Sequence, residues 1–207
     1  PERHFHPFGG IYPNPAVINA ALATLTKSVQ LRAGSVVLPL HHPARVAEEW
    51  AMVDQLSLGR VGISIASGWH VQDFALAPEN YSERKQIMRT QAELLRRLWR
   101  GEEVDFPSPE NKTKRLRIFP KPLQAELPIW MTSSGNPATF QLAGELGFHL
   151  LTHLSGQDIE KLEEKIRIYR TARRKHGHDP EAGCVSLMLH TFVAETEAEA
   201  RETAREP

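Results

Sequence analysis

A single cysteine, Cys184, in 207 residues leaves the chain without any internal disulfide, so its stability has to come from a packed core. That cysteine opens an apolar run and reads as a buried packing residue. An excess of charge of either sign is also missing. Lys+Arg and Asp+Glu stand at 25 each, so no global field draws the chain toward nucleic acid or an anionic membrane. No apolar run approaches the length of a membrane span and no signal peptide is visible, which reads as a soluble, cytoplasmic protein. The Gly-x-Gly-x-x-Gly fingerprint of nicotinamide dinucleotide sites is absent.

What is present is 41% hydrophobic residues, enough for one sizeable core, and the expectation is one domain over 1–207. Apolar runs of strand length alternate with amphipathic segments. Strands are expected at Pro1–Phe5, Val29–Leu38, Arg60–Ala66, Leu127–Thr132, Phe148–Thr152 and Cys184–Ala194. Helices are expected from Pro15 to Leu25 behind the cap Asn14, Pro43 to Leu56 closed by Gly59, Tyr81 to Arg100, Pro137 to Glu145, and Asp158 to His176. Ile159, Leu162, Ile166 and Tyr169 mark the inner face of the last of these. Glu195–Glu206 has helical composition. Residues 102–124, richer in proline and charge, look like an excursion from the repeat. A βα repeat implies a parallel sheet. The repeat falls short of the eight strands and about 250 residues of a (β/α)8 barrel, yet it opens on a strand end and stops partway into a helix. The expected fold class is therefore α/β, most of a (β/α)8 barrel cut at both ends.

In such a barrel the chemistry lies at the carboxyl ends of the strands. Those ends carry Glu2-Arg3-His4, His41-His42, Ser67-Gly68-Trp69-His70, Ser133-Ser134-Gly135-Asn136, Thr152-His153 and His190-Thr191. The turn at Ser133–Asn136 joins a strand to a helix with Asn136 as N-cap and Pro137 as first helical residue, so free amides and hydroxyls would converge as an anion cradle. Ser67-Gly68 is a second anion-friendly turn. A phosphorylated cofactor with a flat ring would place its phosphate on these turns and its ring against Val36, Val37, Ile65 and Trp69. Gly34-Ser35 is unusual within a central strand unless something must approach the backbone closely. His4-x-His6 has the spacing of a metal pair, which keeps a metal-dependent barrel hydrolase as an alternative; at the later strand ends, where such a site needs further ligands, His153 and His190 are the candidates.

Taken together, Glu2-Arg3-His4-Phe5-His6-Pro7, Arg32-Ala33-Gly34-Ser35-Val36-Val37-Leu38-Pro39 with His42-Pro43, Asp54-Gln55-Leu56-Ser57-x-Gly59-Arg60, and Ser67-Gly68-Trp69-His70 with Asp73-Phe74 resemble the bacterial luciferase-like flavin monooxygenases. Glu2–Gly10, Ala77-Pro78-Glu79-Asn80-Tyr81 and Leu150-Leu151-Thr152-His153-Leu154 are similar to the subgroup of natural-product pathways, often a domain of a polyketide or peptide synthetase. The resemblance implies a luciferase-like barrel using reduced FMN, supplied by a separate flavin reductase, and dioxygen to oxygenate a small-molecule or carrier-protein-tethered substrate. It also implies a homodimer or a domain of a larger synthetase. Relatives with the same architecture use the deazaflavin F420, and others are non-catalytic subunits.

By position, the resemblance implies a non-prolyl cis peptide at Gly34-Ser35 beneath the flavin ring. It implies flavin contacts from Ser67, Gly68, Trp69 and His70, and phosphate binding by Ser133, Ser134, Gly135 and Asn136. The catalytic positions are Glu2, Arg3 and His4, with His153 and His190 as candidate substrate contacts. The luciferases carry Glu-His-His where this chain has Glu2-Arg3-His4, so their catalytic histidine falls on Arg3. An imidazole titrates near neutrality and a guanidinium does not, which favours His4 for the acid/base role.

Overall fold

The computed structural model describes residues 2–7, 12–110, 112–189 and 191–205. Its elements run in the order α1 (Pro15–Leu25), β1 (Leu31–Val37), α2 (Pro43–Ser57), β2 (Val61–Ala66), α3 (Arg84–Trp99), β3 (Val104–Pro107), β4 (Thr113–Leu116), β5 (Ile129–Thr132), α4 (Pro137–Glu145), β6 (His149–Thr152), α5 (Ile159–Lys175), β7 (Val185–Leu187) and α6 (Glu197–Thr203). The main sheet has the order β1-β2-β5-β6-β7 and every pairing in it is parallel. Chain order and sheet order coincide once the β3–β4 hairpin is set aside, as successive βα units require.

The two faces of the sheet separate by the period of two. Ala33, Ile63, Ile65, Ile129, Met131 and Leu150 are buried in the core shared with the helices, where Trp50, Leu95, Leu98, Phe140 and Tyr169 meet them. The intervening residues Arg32, Gly34, Ser64, Trp130, Leu151 and Ser186 line a cavity of about 240 Å3 on the opposite face. An extra residue interrupts the β1–β2 register between Gly34 and Val36, so Val36 rather than Ser35 joins the core. The Gly34–Ser35 peptide there is cis.

Two helix starts follow the caps expected from sequence, Asn14 accepting from Ala16 and Val17 and Asn136 from Ala138, while Asp158, expected as the first residue of its helix, is instead the cap of α5 and accepts from Lys161. The α2 helix runs one residue past the expected Leu56, to Ser57, and ends through two left-handed residues, Leu58 at φ 57° and Gly59 at φ 80°. The excursion at 102–124 contains the antiparallel hairpin β3–β4. It is tied to α2 by the fully buried Asp54, which accepts from the amides of Leu123 and Gln124 and from the Gln124 side chain.

Several expectations are corrected. Residues 2–5 form no strand; Phe5 at φ 55° breaks the extension, although the Glu2 amide still donates to the Ser35 carbonyl at 3.0 Å beside the end of β1. The last strand is only Val185–Leu187, because β6 ends at Thr152 and offers no ladder beyond it. The long helix starts at Arg84 instead of Tyr81, after short 3-10 turns at Val71–Leu76 and Pro78–Asn80. Cys184 is exposed, and Ile159 is 68% exposed, outside the buried face formed by Leu162 and Tyr169.

Candidate functional site

The polar residues at the strand ends fall into two groups. The first gathers around Glu2, whose carboxylate is wholly buried. Its Oε1 receives the Nε2 atoms of His4 at 2.8 Å and His41 at 2.6 Å, and its Oε2 accepts from the Val37 amide at 2.7 Å. Because a carboxylate only accepts, both imidazoles donate from Nε2, and the Nδ1 atom of each is left as the basic nitrogen. Burial works against a charge on His41. The Glu2 hydrogen bond and the charges of Glu2 and Glu49 outweigh it and hold the imidazole above its ordinary value of 6.5.

Asp73 organises the other half of this group. Its Oδ2 receives Arg3 Nη1 at 3.1 Å and its Oδ1 receives the His4 amide at 3.1 Å. The Arg3 guanidinium lies 4.6 Å from the centre of the Trp69 ring, and Trp69 meets His70 edge-on. Arg3 is therefore held in place, paired with Asp73 and stacked on Trp69. His70 Nδ1 is buried without a hydrogen bond among the described residues, 3.7 Å from Asp73 Oδ1. Gly68, at φ 76°, sits where any Cβ would come within 2.8 Å of Phe74 and Val37, which closes the turn before Trp69.

The apolar wall expected for a flat ring is corrected in part. Val36 and Ile65 are in the core and Val37 packs with Leu40 and Phe74, so of the four only Trp69, 75% exposed, faces solvent.

The second group lies at the ends of β5 and β6. Ser133 is buried, its amide bonded to the Leu151 carbonyl and its hydroxyl accepting from Gly135 N–H at 3.3 Å; Ser134 and Asn136 are exposed. Among the described residues the amides of Ser134 and Asn136 have no intramolecular acceptor. Gly135 has φ 114°, and a Cβ on it would lie 3.1 Å from Lys165 Nζ and 3.2 Å from Gln157 Oε1. Gln157 in turn donates to the His153 carbonyl at 2.6 Å and to Thr152 Oγ1 at 3.2 Å. His153 keeps a buried Nδ1 without a partner.

Glu2, Arg3, His4, Trp69 and His70 are thus brought together, and so are Ser133, Ser134, Gly135, Asn136 and His153. Gly34 stands between the groups on the cavity wall, where a Cβ would touch Leu151 at 3.3 Å. Ser67 is half-buried in the turn after β2, and His190 lies outside the described residues. Sequence reasoning missed His41, Asp73, Gln157 and Lys165 as site residues. His41 and Asp73 stood inside motifs already singled out, whereas Gln157 precedes the cap of α5 and Lys165 lies inside that helix, and neither carries a motif. Among the described residues no group of three or more His, Cys, Asp or Glu is placed to hold a metal ion, and no helix is long and apolar enough to cross a membrane.

Comparison with known proteins adds an independent line. A family model described as luciferase-like monooxygenase matches residues 1–207. The oxygenase component of a flavin-dependent trigonelline monooxygenase from Acinetobacter baylyi is 31% identical over 202 residues, 95% of this chain and 54% of that protein. Among solved structures, the monooxygenase RslO1 from Streptomyces bottropensis superposes with a TM-score of 0.82 at 26% identity, covering 98% of this chain and 62% of the other. The oxygenating constituent of 3,6-diketocamphane monooxygenase from Pseudomonas putida, solved in complex with FMN, shares the fold with a TM-score of 0.79 at 22% identity, over 99% and 59% of the two chains. The chain thus spans 54% of the length of the relative from Acinetobacter.

Proposed function

Since the chain belongs to the luciferase-like monooxygenase family and has its α/β barrel fold, we propose that it is the flavin-binding part of an FMN-dependent monooxygenase acting with dioxygen on an organic substrate. The observation that carries this reading is the turn Ser133–Asn136. Two amides without an acceptor among the described residues, an exposed serine and the start of α4 fall within this one turn, and Lys165 Nζ lies where a Cβ on Gly135 would come within 3.1 Å of it. That donor set fits a phosphate monoester. Ser133, Ser134, Gly135 and Asn136 would hold the phosphate, and Gly34, Ser35, Ser67, Gly68, Trp69 and His70 would border the ring. Bound reduced FMN would supply the electrons and the oxygen-activating ring.

The chain's own residues divide the remaining work. Glu2 fixes the tautomers of His4 and His41, so His4 Nδ1 takes up or returns a proton at the reacting centre. Arg3, paired with Asp73 and lying over the Trp69 ring, holds the Trp69 turn in place. His153 and His190 are the proposed substrate contacts. The organic substrate is a small molecule or one tethered to a carrier protein, as in secondary-metabolite assembly. A separate flavin reductase supplies the reductant, in keeping with the name "oxygenase component" carried by the Acinetobacter relative. The whole protein works in the cytoplasm, as a homodimer or as one domain of a larger synthetase, with residues 1–207 in a single barrel domain.

The test is flavin titration of the full-length protein, followed by fluorescence quenching, with FMN and F420 in parallel. FMN is expected to bind, and Ser134→Asp, which sets a second anion against the phosphate, is expected to weaken it at least tenfold, roughly the worth of one charge-assisted hydrogen bond. Tighter binding of F420 would move the protein to the deazaflavin enzymes. Absence of binding by either cofactor would end the reading.

A further inference from the structure

The turn at Ser133–Asn136 is faced by a cation from a different helix. We infer that Lys165 on α5 is the countercharge of the phosphate site and makes the protein prefer a flavin bearing a phosphate over one without, an inference that rests on the flavin reading above. Lys165 is half-buried, and its Nζ donates to Gln157 Oε1 at 2.7 Å. Gln157 is itself buried, and its amide nitrogen is committed to the His153 carbonyl and Thr152 Oγ1. Its oxygen is therefore obliged to face Lys165, and the ammonium is held instead of waving in solvent.

The held ammonium sits beside the turn, since a Cβ on Gly135 would reach to 3.1 Å from Nζ. The other two donors of the ammonium remain for a ligand. Neighbouring cations on the same helix are satisfied differently: Lys161 pairs with Asp158 and Arg167 with Glu163. No carboxylate among the described residues pairs with Lys165.

Electrostatics supplies the direction of the inference. The start of α4 carries the positive end of a helix dipole, and an ammonium placed beside it is repelled when nothing negative lies between. A dianionic phosphate bound at the turn would relieve both charges at once, accepting from the Ser134 and Asn136 amides and from Nζ. The glycine at 135 lets the turn approach Lys165 and Gln157, which a Cβ there would crowd at 3.1 and 3.2 Å.

The experiment compares FMN and riboflavin affinities of the full-length wild type, Lys165→Met and Lys165→Arg by fluorescence quenching. Lys165→Met is expected to weaken FMN about tenfold while leaving riboflavin unchanged, and Lys165→Arg to retain most of the preference. An equal change for both flavins, or none for either, overturns the assignment. Inorganic phosphate, followed through the Gly135 amide resonance, separates this failure from that of the flavin reading. A phosphate-induced shift in the wild type that disappears in Lys165→Met supports Lys165 even where FMN does not bind; no shift, or the same shift in both, overturns it.

Discussion

Gly144→Ala sets two effects of opposite sign against each other at the joint between α4 and α5, behind the turn Ser133–Asn136. Within a helix, alanine is favoured over glycine by about 1 kcal/mol, so on α4 taken alone the substitution stabilises. In the folded chain a Cβ at 144 would lie 2.5 Å from the Tyr169 carbonyl oxygen, 2.7 Å from Ala172 Cβ and 3.0 Å from the Arg173 amide. Two of those three atoms are backbone of α5 and cannot swing aside, so α4 and α5 have to separate. Overpacking of this kind costs about 1–3 kcal/mol, and the rigid partners place it at the upper end. The net expectation is a loss of about 2 kcal/mol, read as a fall of about 1 M in the urea midpoint for a typical slope of about 2 kcal/mol/M. An unchanged or raised midpoint would refute the close approach of α4 to α5 and, with it, the placement of Lys165 beside the turn.

Two further outcomes follow from the same packing. Asp54→Ala removes the acceptor of three hydrogen bonds from Leu123 and Gln124, leaving the Gln124 side chain only its bond to the Val61 carbonyl, and is expected to cost about 3 kcal/mol in urea unfolding, about 1 for each bond, with the loss largest among residues near the hairpin in hydrogen exchange; a loss under 1 kcal/mol would count against the tether. His41 is held above its ordinary value, so its contribution to stability is complete below pH 6.5 and is lost as pH rises through the raised value. Unfolding midpoints measured upward from pH 6.5 should fall in the wild type and fall less in His41→Gln, and parallel curves would show that Glu2 does not favour the protonated ring.

The local code of this chain was legible because it acts between near neighbours. Asn14, Asn136 and Asp158 cap helices through bonds to residues two or three positions on, and the alternation of Ile63, Ser64 and Ile65 or Ile129, Trp130 and Met131 sorts each strand into a core face and a cavity face. The same information placed polar residues at the strand ends and the Asn136 cap at the start of α4. Where pairing across the chain decides, sequence ran out: Cys184–Ala194 is apolar enough for a long strand but is one only as far as β6 gives it a partner, and Cys184 is exposed because it stands on the open side of the sheet. The sharing of Glu2 Oε1 by His4 and His41, and the pairing of Arg3 with Asp73 seventy residues away, depend on backbone segments that meet only after folding. Lys165 is one more polar residue on an amphipathic helix until α5 packs on α4 and carries its ammonium to Gly135. Capping and periodicity are properties of a few consecutive residues, whereas a charge's role depends on which distant charge or dipole it is set against, and only the tertiary structure decides that.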